Sequence, residues 1–369
     1  MSSGSSLPSP GRHMMQVAQL TAGRGLSVLE RPVPDPGRGE VLVRAFAVGI
    51  CGSDVEMYHG LRPPGFFRDP VVPGHEWSGV VVETGPGADR NLIGSPVVCE
   101  GLLWCGTCRS CRGGETNLCL RGYAEFGFTK DGGLAQYIAV PARLVHVLPP
   151  GIGLDVAALI EPTAVVAHAF GRTPVNAEDA VVIVGDGTLG LVAVQIAAAR
   201  GAGNVTLFGT DPGRLNVAAT LGATSTYNVT AAAQADLAAA YRSDHCSPGA
   251  DVVIETAGAV DAVTLALGIG RRGAAVSLLG IAGSTASLQI ASDLFVLRQL
   301  SVVGTAGAVP ASWEAAIDLV ATGHVDLSAL ITDRYPLEQA DQAFRRAQNR
   351  PVGGIKVLIE HAADDGGRP

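Results

Sequence analysis

The stretch that most restricts the fold is the apolar run Val181-Val182-Ile183-Val184, which breaks directly into Gly185-Asp186-Gly187-Thr188-Leu189-Gly190 and then into an apolar helical pattern over Leu189–Arg200. By itself a G-x-G-x-x-G pattern marks many ordinary turns. Between a β-branched strand and a helix its meaning narrows, because glycines there let the backbone turn tightly and approach a pyrophosphate held at the helix N-terminus. Further strands are expected at Asn204–Phe208, Ala250–Glu255 and Ala274–Leu279. Strands alternating with helical stretches from about Val175 to Gly304 imply βαβ units, a parallel sheet and an α/β fold class.

Upstream the texture changes. From Val17 to Val147 the chain is punctuated by Gly and Pro, with short β-branched runs at Val41–Val43, Gly79–Val82 and Ser95–Val98. After Val309 come an amphipathic helix around Trp313–Ala321, a second near Leu337–Ala347 and a closing strand at Ile355–Ile359, expected to return to the first domain. A chain of 369 residues exceeds one ordinary hydrophobic core. The division expected is 16–165 with 309–361 as one domain and 166–308 as the other. Residues 1–15, rich in Ser, Gly and Pro, read as a disordered leader, with Met14 or Met15 as the native start, and 362–369 as a polar tail.

Composition excludes several functions. No apolar run approaches the roughly 20 residues of a membrane span. The net charge of −8 and the absence of a basic run argue against a nucleic-acid partner. With no secretory signal, seven cysteines point to metal ligands or free thiols in a reducing compartment, and cytoplasm is the expected location.

Four of those thiols fall in one segment, Cys105-x2-Cys108-x2-Cys111-x7-Cys119, interleaved with Gly106, Gly113 and Gly114. Tetrahedral zinc takes four thiolates, and four bound ligands leave no position for substrate, so this site reads as structural. Elsewhere lie Cys51-Gly52-Ser53-Asp54, Gly74-His75-Glu76 and Leu159-Ile160-Glu161-Pro162. A catalytic zinc needs three protein ligands of mixed type and one open position, and Cys51, His75 and a carboxylate from Glu76 or Glu161 would supply them.

Taken in order, these motifs resemble those of the zinc-containing medium-chain dehydrogenases, particularly the polyol and threonine dehydrogenase branches, from about Val17 to Glu360. The resemblance implies a GroES-like β-rich catalytic domain and a Rossmann nucleotide domain with a doubly wound parallel sheet. It implies two zinc ions per chain, with Cys51, His75 and Glu161 as ligands of the catalytic one and Glu76 as an alternate or outer carboxylate. Asp54 takes the place of the acid that orients the ligating histidine, whose free ring N–H needs a fixed acceptor. Ser53 takes the place of the hydroxyl that passes the substrate proton outward. Zinc then acts as the Lewis acid for hydride transfer from an alcohol to nicotinamide. One departure is Glu56, where relatives often carry a histidine that continues the relay; His59 lies three residues on.

For the cofactor, the resemblance places Gly185, Gly187, Thr188, Leu189 and Gly190 on the pyrophosphate and Lys356 on the phosphates. Counting back from Leu221-Gly222-Ala223, the position of the usual ribose-binding acid is Gly209, which would admit the 2′-phosphate of NADP, with Arg214 to neutralise it. Asp211, two residues on, either supplies the missing carboxylate or merely opens a turn with Pro212-Gly213. Its negative charge tips the expectation towards NAD. A homodimer or homotetramer is expected, covering the apolar stretch Leu300–Gly304. The substrate expected is a small polar alcohol: a polyol, cyclitol, sugar or amino sugar, in secondary metabolism by association with the Arg-rich, Ala- and Gly-rich composition. A carbonyl reductase, a redox epimerase and a non-catalytic zinc-stabilised binding protein are the alternatives.

Overall fold

The computed structural model describes residues 13–230, 233–281, 283 and 286–362. Among the described residues seven strands come first: β1 (Met14–Thr21), β2 (Gly25–Pro32), β3 (Glu40–Gly49), β4 (Glu76–Thr84), β5 (Pro96–Cys99), β6 (Tyr137–Pro141) and β7 (Val145–Val147). Six follow as a block: β8 (Ala180–Val184), β9 (Asn204–Gly209), β10 (Ser225–Asn228), β11 (Ala250–Glu255), β12 (Gly270–Leu278) and β13 (Ser301–Gly304). Two close the chain, β14 (Ile331–Pro336) and β15 (Lys356–Glu360). The helices are α1 (Gly52–Tyr58), α2 (Arg109–Arg112), α3 (Leu154–Ala157), α4 (Ile160–Arg172), α5 (Thr188–Ala199), α6 (Pro212–Thr220), α7 (Gln234–Asp244), α8 (Val260–Ile269), α9 (Asp293–Arg298), α10 (Pro310–Ala321) and α11 (Ala340–Gln348).

The middle block forms one parallel sheet in the order β10-β9-β8-β11-β12-β13, doubly wound about β8. Its inner strands β8 and β11 are mostly apolar because both faces are covered, whereas the edge strands β10 and β13 are partly exposed. Successive side chains of a strand point to opposite faces. Val181 and Ile183 accordingly join a core with Phe170, Leu191, Val194 and Ile196, whereas Val182 and Val184 join Phe208, Tyr241 and Leu265 on the other side. The edge position of β13 matches the exposed apolar stretch read from Leu300–Gly304.

The other sheet runs β14-β15-β3-β4-β5-β7, with β6 also on β3, so the last strands do return to the first domain. Two expectations are corrected, and one strand went unread. Met14 and Met15 open β1, paired with Pro32 and Arg31, instead of belonging to a leader; residues 1–12 and 363–369 lie outside the described residues. The boundary at 165/166 falls inside α4, an unbroken helix whose Val166, Ala169 and Phe170 are buried. Strand β14 had no signal, because its residues alternate only between exposed and half-buried. Among the described residues no helix is long and apolar enough to cross a membrane.

Candidate metal and nucleotide sites

The first site forms where β3 ends and β4 begins. The antiparallel register pairs Gly49 with Glu76, which brings Cys51, just past β3, beside His75 and Glu76. Gly74 has φ +97°, a conformation that side chains rarely adopt, and it turns the chain so that His75 faces inward. The donor atoms of Cys51, His75 and Glu76 all lie within 4.8 Å of one another. Cys51 caps α1, and the backbone N–H of Cys51 donates to Asp54 Oδ2 at 2.9 Å. The other Asp54 oxygen stands 3.5 Å from His75 Nδ1, and neither atom has a closer partner. Nδ1 is therefore engaged by the carboxylate, and Nε2 is the nitrogen left to face a metal. Burial disfavours the imidazolium, but Asp54 and Cys51 outweigh it and raise the pKa of His75. Ser53 Oγ lies 3.4 Å from Cys51 Sγ, at the mouth of the cluster.

Glu161, in the first turn of α4, faces the same cluster. Burial, with the carboxylates of Glu76 and Glu125 nearby, pushes its pKa up to about 8, although His75 and Lys356 oppose the shift. The convergent donors are Cys51, His75 and Glu76; Glu161 is not among the donors that lie within 4.8 Å of one another, although its carboxylate feels His75 and Glu76. A thiol, an imidazole and a carboxylate converging on one point fit a divalent cation, whose charge would offset the crowded carboxylates. Lys356 departs from expectation. Its ammonium is buried, donating to Glu76 Oε2 at 2.6 Å and to the Ile50 carbonyl at 3.1 Å, so it is committed to the metal cluster and not to cofactor phosphates. Arg350 is a further cation whose charge couples both to the metal cluster and to the tip of β9. Burial and Arg214 lower its pKa, while the charges of Cys51, Glu76 and Asp186 act in the opposite direction.

In the cysteine segment the donors of Cys105, Cys108, Cys111 and Cys119 also lie within 4.8 Å of one another, and none is in a disulfide. Backbone N–H groups of Thr107 and Cys108 donate to Cys105 Sγ at 3.4 Å, and that of Leu120 to Cys108 Sγ at 3.5 Å. Such bonds favour thiolates: hydrogen bonds from Thr107 and Cys108 bring the pKa of Cys105 down to about 5. Cys111 shifts the other way, pushed up to about 11 by burial and by the neighbouring thiols. A dication at the centre would offset that crowding, and four converging sulfurs supplied with N–H donors fit a tetrahedral zinc.

The glycine loop fits a dinucleotide. A Cβ at Gly190 would overlap the Gly185 carbonyl, which sets how closely α5 packs on β8, whereas a Cβ at Gly187 would point into open space. Gly187 caps α5 without any side-chain hydrogen bond, leaving the N–H groups of Thr188, Leu189 and Gly190 facing the cleft. At the tip of β9, Asp211 caps α6, its Oδ1 accepting from the N–H groups of Arg214 and Gly353 at 2.9 Å each, which is the turn-forming alternative. Arg214 is held by Asp186 at 3.1 Å and is not a free phosphate partner.

Residues with no motif complete the cleft. The guanidinium of Arg62 lies 4.0 Å from the centroid of Phe128, whose ring packs on His75 at 4.7 Å. Arg62 donates to Tyr123 Oη at 3.2 Å, and Tyr123 in turn donates to Glu125. Glu56, the departure in the relay, is 3.8 Å from Arg62, and His59 is exposed at the end of α1, against Tyr58.

Two family models match the chain: the alcohol dehydrogenase GroES-like domain over residues 37–150 and the zinc-binding dehydrogenase domain over residues 188–322. A sorbitol dehydrogenase of Halalkalibacterium halodurans is 32% identical over 94% of this chain and 99% of its own. An L-threonine 3-dehydrogenase of Chromobacterium violaceum is 31% identical over 94% and 99%. Among solved structures, one assigned as a zinc-binding dehydrogenase of Sinorhizobium meliloti 1021, bound to NADP, superposes with a TM-score of 0.87 at 31% identity, covering 95% of this chain and 100% of that one.

Proposed function

Because the chain belongs to the zinc-dependent medium-chain dehydrogenases and is an NAD(P)-linked alcohol dehydrogenase, we propose that it oxidises a secondary hydroxyl of a polyhydroxylated or amino-substituted alcohol to the ketone, or catalyses the reverse reduction. The observation that carries the substrate class is the hydrogen-bonded row Arg62, Tyr123 and Glu125 beside His75. The three groups already satisfy one another, and Glu56 and the Phe66 carbonyl engage the rest of Arg62. Such a wall still offers donors and acceptors to a substrate whose hydroxyl or amino groups flank the reacting carbon, a capacity that a simple alkanol would leave unused.

In this reading Cys51, His75 and Glu161 hold the catalytic zinc, which supplies Lewis acidity for hydride transfer to the nicotinamide. Glu76 stands beside the metal with its charge offset by Lys356. Asp54 keeps His75 in the tautomer that ligates, and Ser53 takes the hydroxyl proton towards solvent. Cys105, Cys108, Cys111 and Cys119 hold the second zinc. Gly187 and the first turn of α5 receive the pyrophosphate, with NAD as the preferred cofactor. Exposed Val296 and Leu297 on α9, near the edge strand β13, support pairing into a dimer or tetramer.

The test is turnover followed by nicotinamide absorbance on a panel of polyols, cyclitols, amino alcohols and 2-propanol, with wild type and Arg62→Ala. A rise in KM of tenfold or more for the polar substrates alone is expected. Equal effects on 2-propanol and on polyols would reject the recognition role of Arg62.

A further inference from the structure

Asp186 stands at the first variable position of the glycine loop, a place where the motif asks nothing of the side chain. Here the side chain is buried and built into the tip of the neighbouring strand. Asp186 Oδ2 accepts from the backbone N–H groups of Thr210 and Asp211, both at 2.8 Å, and Oδ1 lies 3.1 Å from Arg214 Nη2. Two consecutive amides and a guanidinium converging at the end of the second strand form an anion nest. It lies next to Gly209, the position at which the adenosine ribose is read. Gly209 is required for the arrangement, because a Cβ there would come within 2.5–2.7 Å of the Asp186 side chain.

The structure assigns Asp186 as an internal anion that fills the phosphate nest of this chain and excludes a 2′-phosphorylated dinucleotide. The inference rests on the dinucleotide reading above and supplies the basis of its NAD preference. A carboxylate in the nest uses the donors that a 2′-phosphate would need, and it meets the incoming dianion with a like charge in a poorly solvated place. The adenosine ribose of NAD brings no charge to that point. The acid usually found at the strand end has thus been replaced by glycine, and a carboxylate from the preceding loop occupies the space from the other side.

The experiment measures, by calorimetry on the zinc-loaded protein, dissociation constants for 5′-AMP and 2′,5′-ADP, two probes that need neither alcohol nor turnover. Wild type is expected to favour 5′-AMP at least tenfold, with the preference shrinking as salt screens the repulsion. Asp186→Asn keeps the shape and removes the charge, and Asp186→Ser empties the nest for phosphate. Each is expected to reduce the preference at least tenfold, with melting curves verifying the fold. Equal or tighter binding of 2′,5′-ADP by wild type overturns the proposal by itself, without recourse to a variant. An unchanged ratio in folded Asp186 variants overturns it as well. Failure of both nucleotides to bind wild type would instead overturn the dinucleotide reading, and the proposal with it.

Discussion

Replacing Asp54 by Asn is expected to weaken the catalytic zinc by 10–100-fold, the usual effect of losing an outer partner of a ligating histidine, or roughly 1.4–2.7 kcal/mol. The structure gives the reason in terms of donors. Asp54 is 1% exposed and serves two neighbours, the N–H of Cys51 through Oδ2 and His75 Nδ1 through Oδ1. A carboxylate accepts from both, whereas an amide has one acceptor and one donor end. If Asn keeps the Cys51 bond, its NH2 faces Nδ1 and drives the ring proton to Nε2, the nitrogen the metal needs. If it turns over, its NH2 abuts the Cys51 N–H, and the buried unmet donors cost about 1–3 kcal/mol. On the proposed two-zinc reading, competition with a chelator at fixed pH is expected to resolve two binding steps, of which only the weaker, that of the Cys51–His75 site, shifts. A variant whose weaker step stays within twofold of wild type would refute the tautomer argument.

Three other perturbations separate the parts of the molecule. Cys108→Ser is expected to release one zinc of two and lower the melting temperature well before it alters chemistry, as metal analysis and calorimetry would register. Gly190→Ala is expected to lose NADH binding tenfold or more, because the new methyl overlaps the Gly185 carbonyl; fluorescence titration showing wild-type affinity would contradict the packing described. His361 has its pKa lowered to about 4 by burial, with Nε2 2.9 Å from the Gly133 carbonyl. A depressed folded pKa means its stabilisation is complete above the unfolded value near 6.5 and is lost as pH falls from there through 4, by up to about 3 kcal/mol. His361→Gln should flatten that part of the stability profile, and parallel profiles for the two proteins would count against it.

What was legible in the sequence was local. The glycine loop and the four-cysteine segment are each read within fifteen residues, and the structure brings both together as spacing implied. Direction was harder. Lys356 opens a strand in which successive side chains face opposite ways, so its position along the chain did not reveal that it points at Glu76. Asp186 was hidden as a variable letter inside the motif, and its role follows only from β9 lying beside β8. The row of Arg62, Tyr123 and Glu125 joins two loops 61 residues apart, with no spacing to announce it. The one available hint was a tyrosine and a glutamate two residues apart just past the last cysteine.

The pairing of Lys356 with Glu76 spans 280 residues. A carboxylate 1% exposed would be left without its counter-ion in any chain that had emerged from the ribosome only as far as β14. At synthesis rates of about 5–20 residues per second, the first half of the metal cluster therefore waits roughly 14–56 seconds for its partner. Over that interval the catalytic sheet also lacks β15, leaving Ala47–Gly49 at the end of β3 without the partner on that side, although β6 already pairs Glu40–Arg44. The last strand acts as a closing latch: a chain cut short between Glu161 and β15 holds every candidate zinc ligand in its sequence, yet is expected to assemble the catalytic centre poorly and to be recognised as unfinished by proteases.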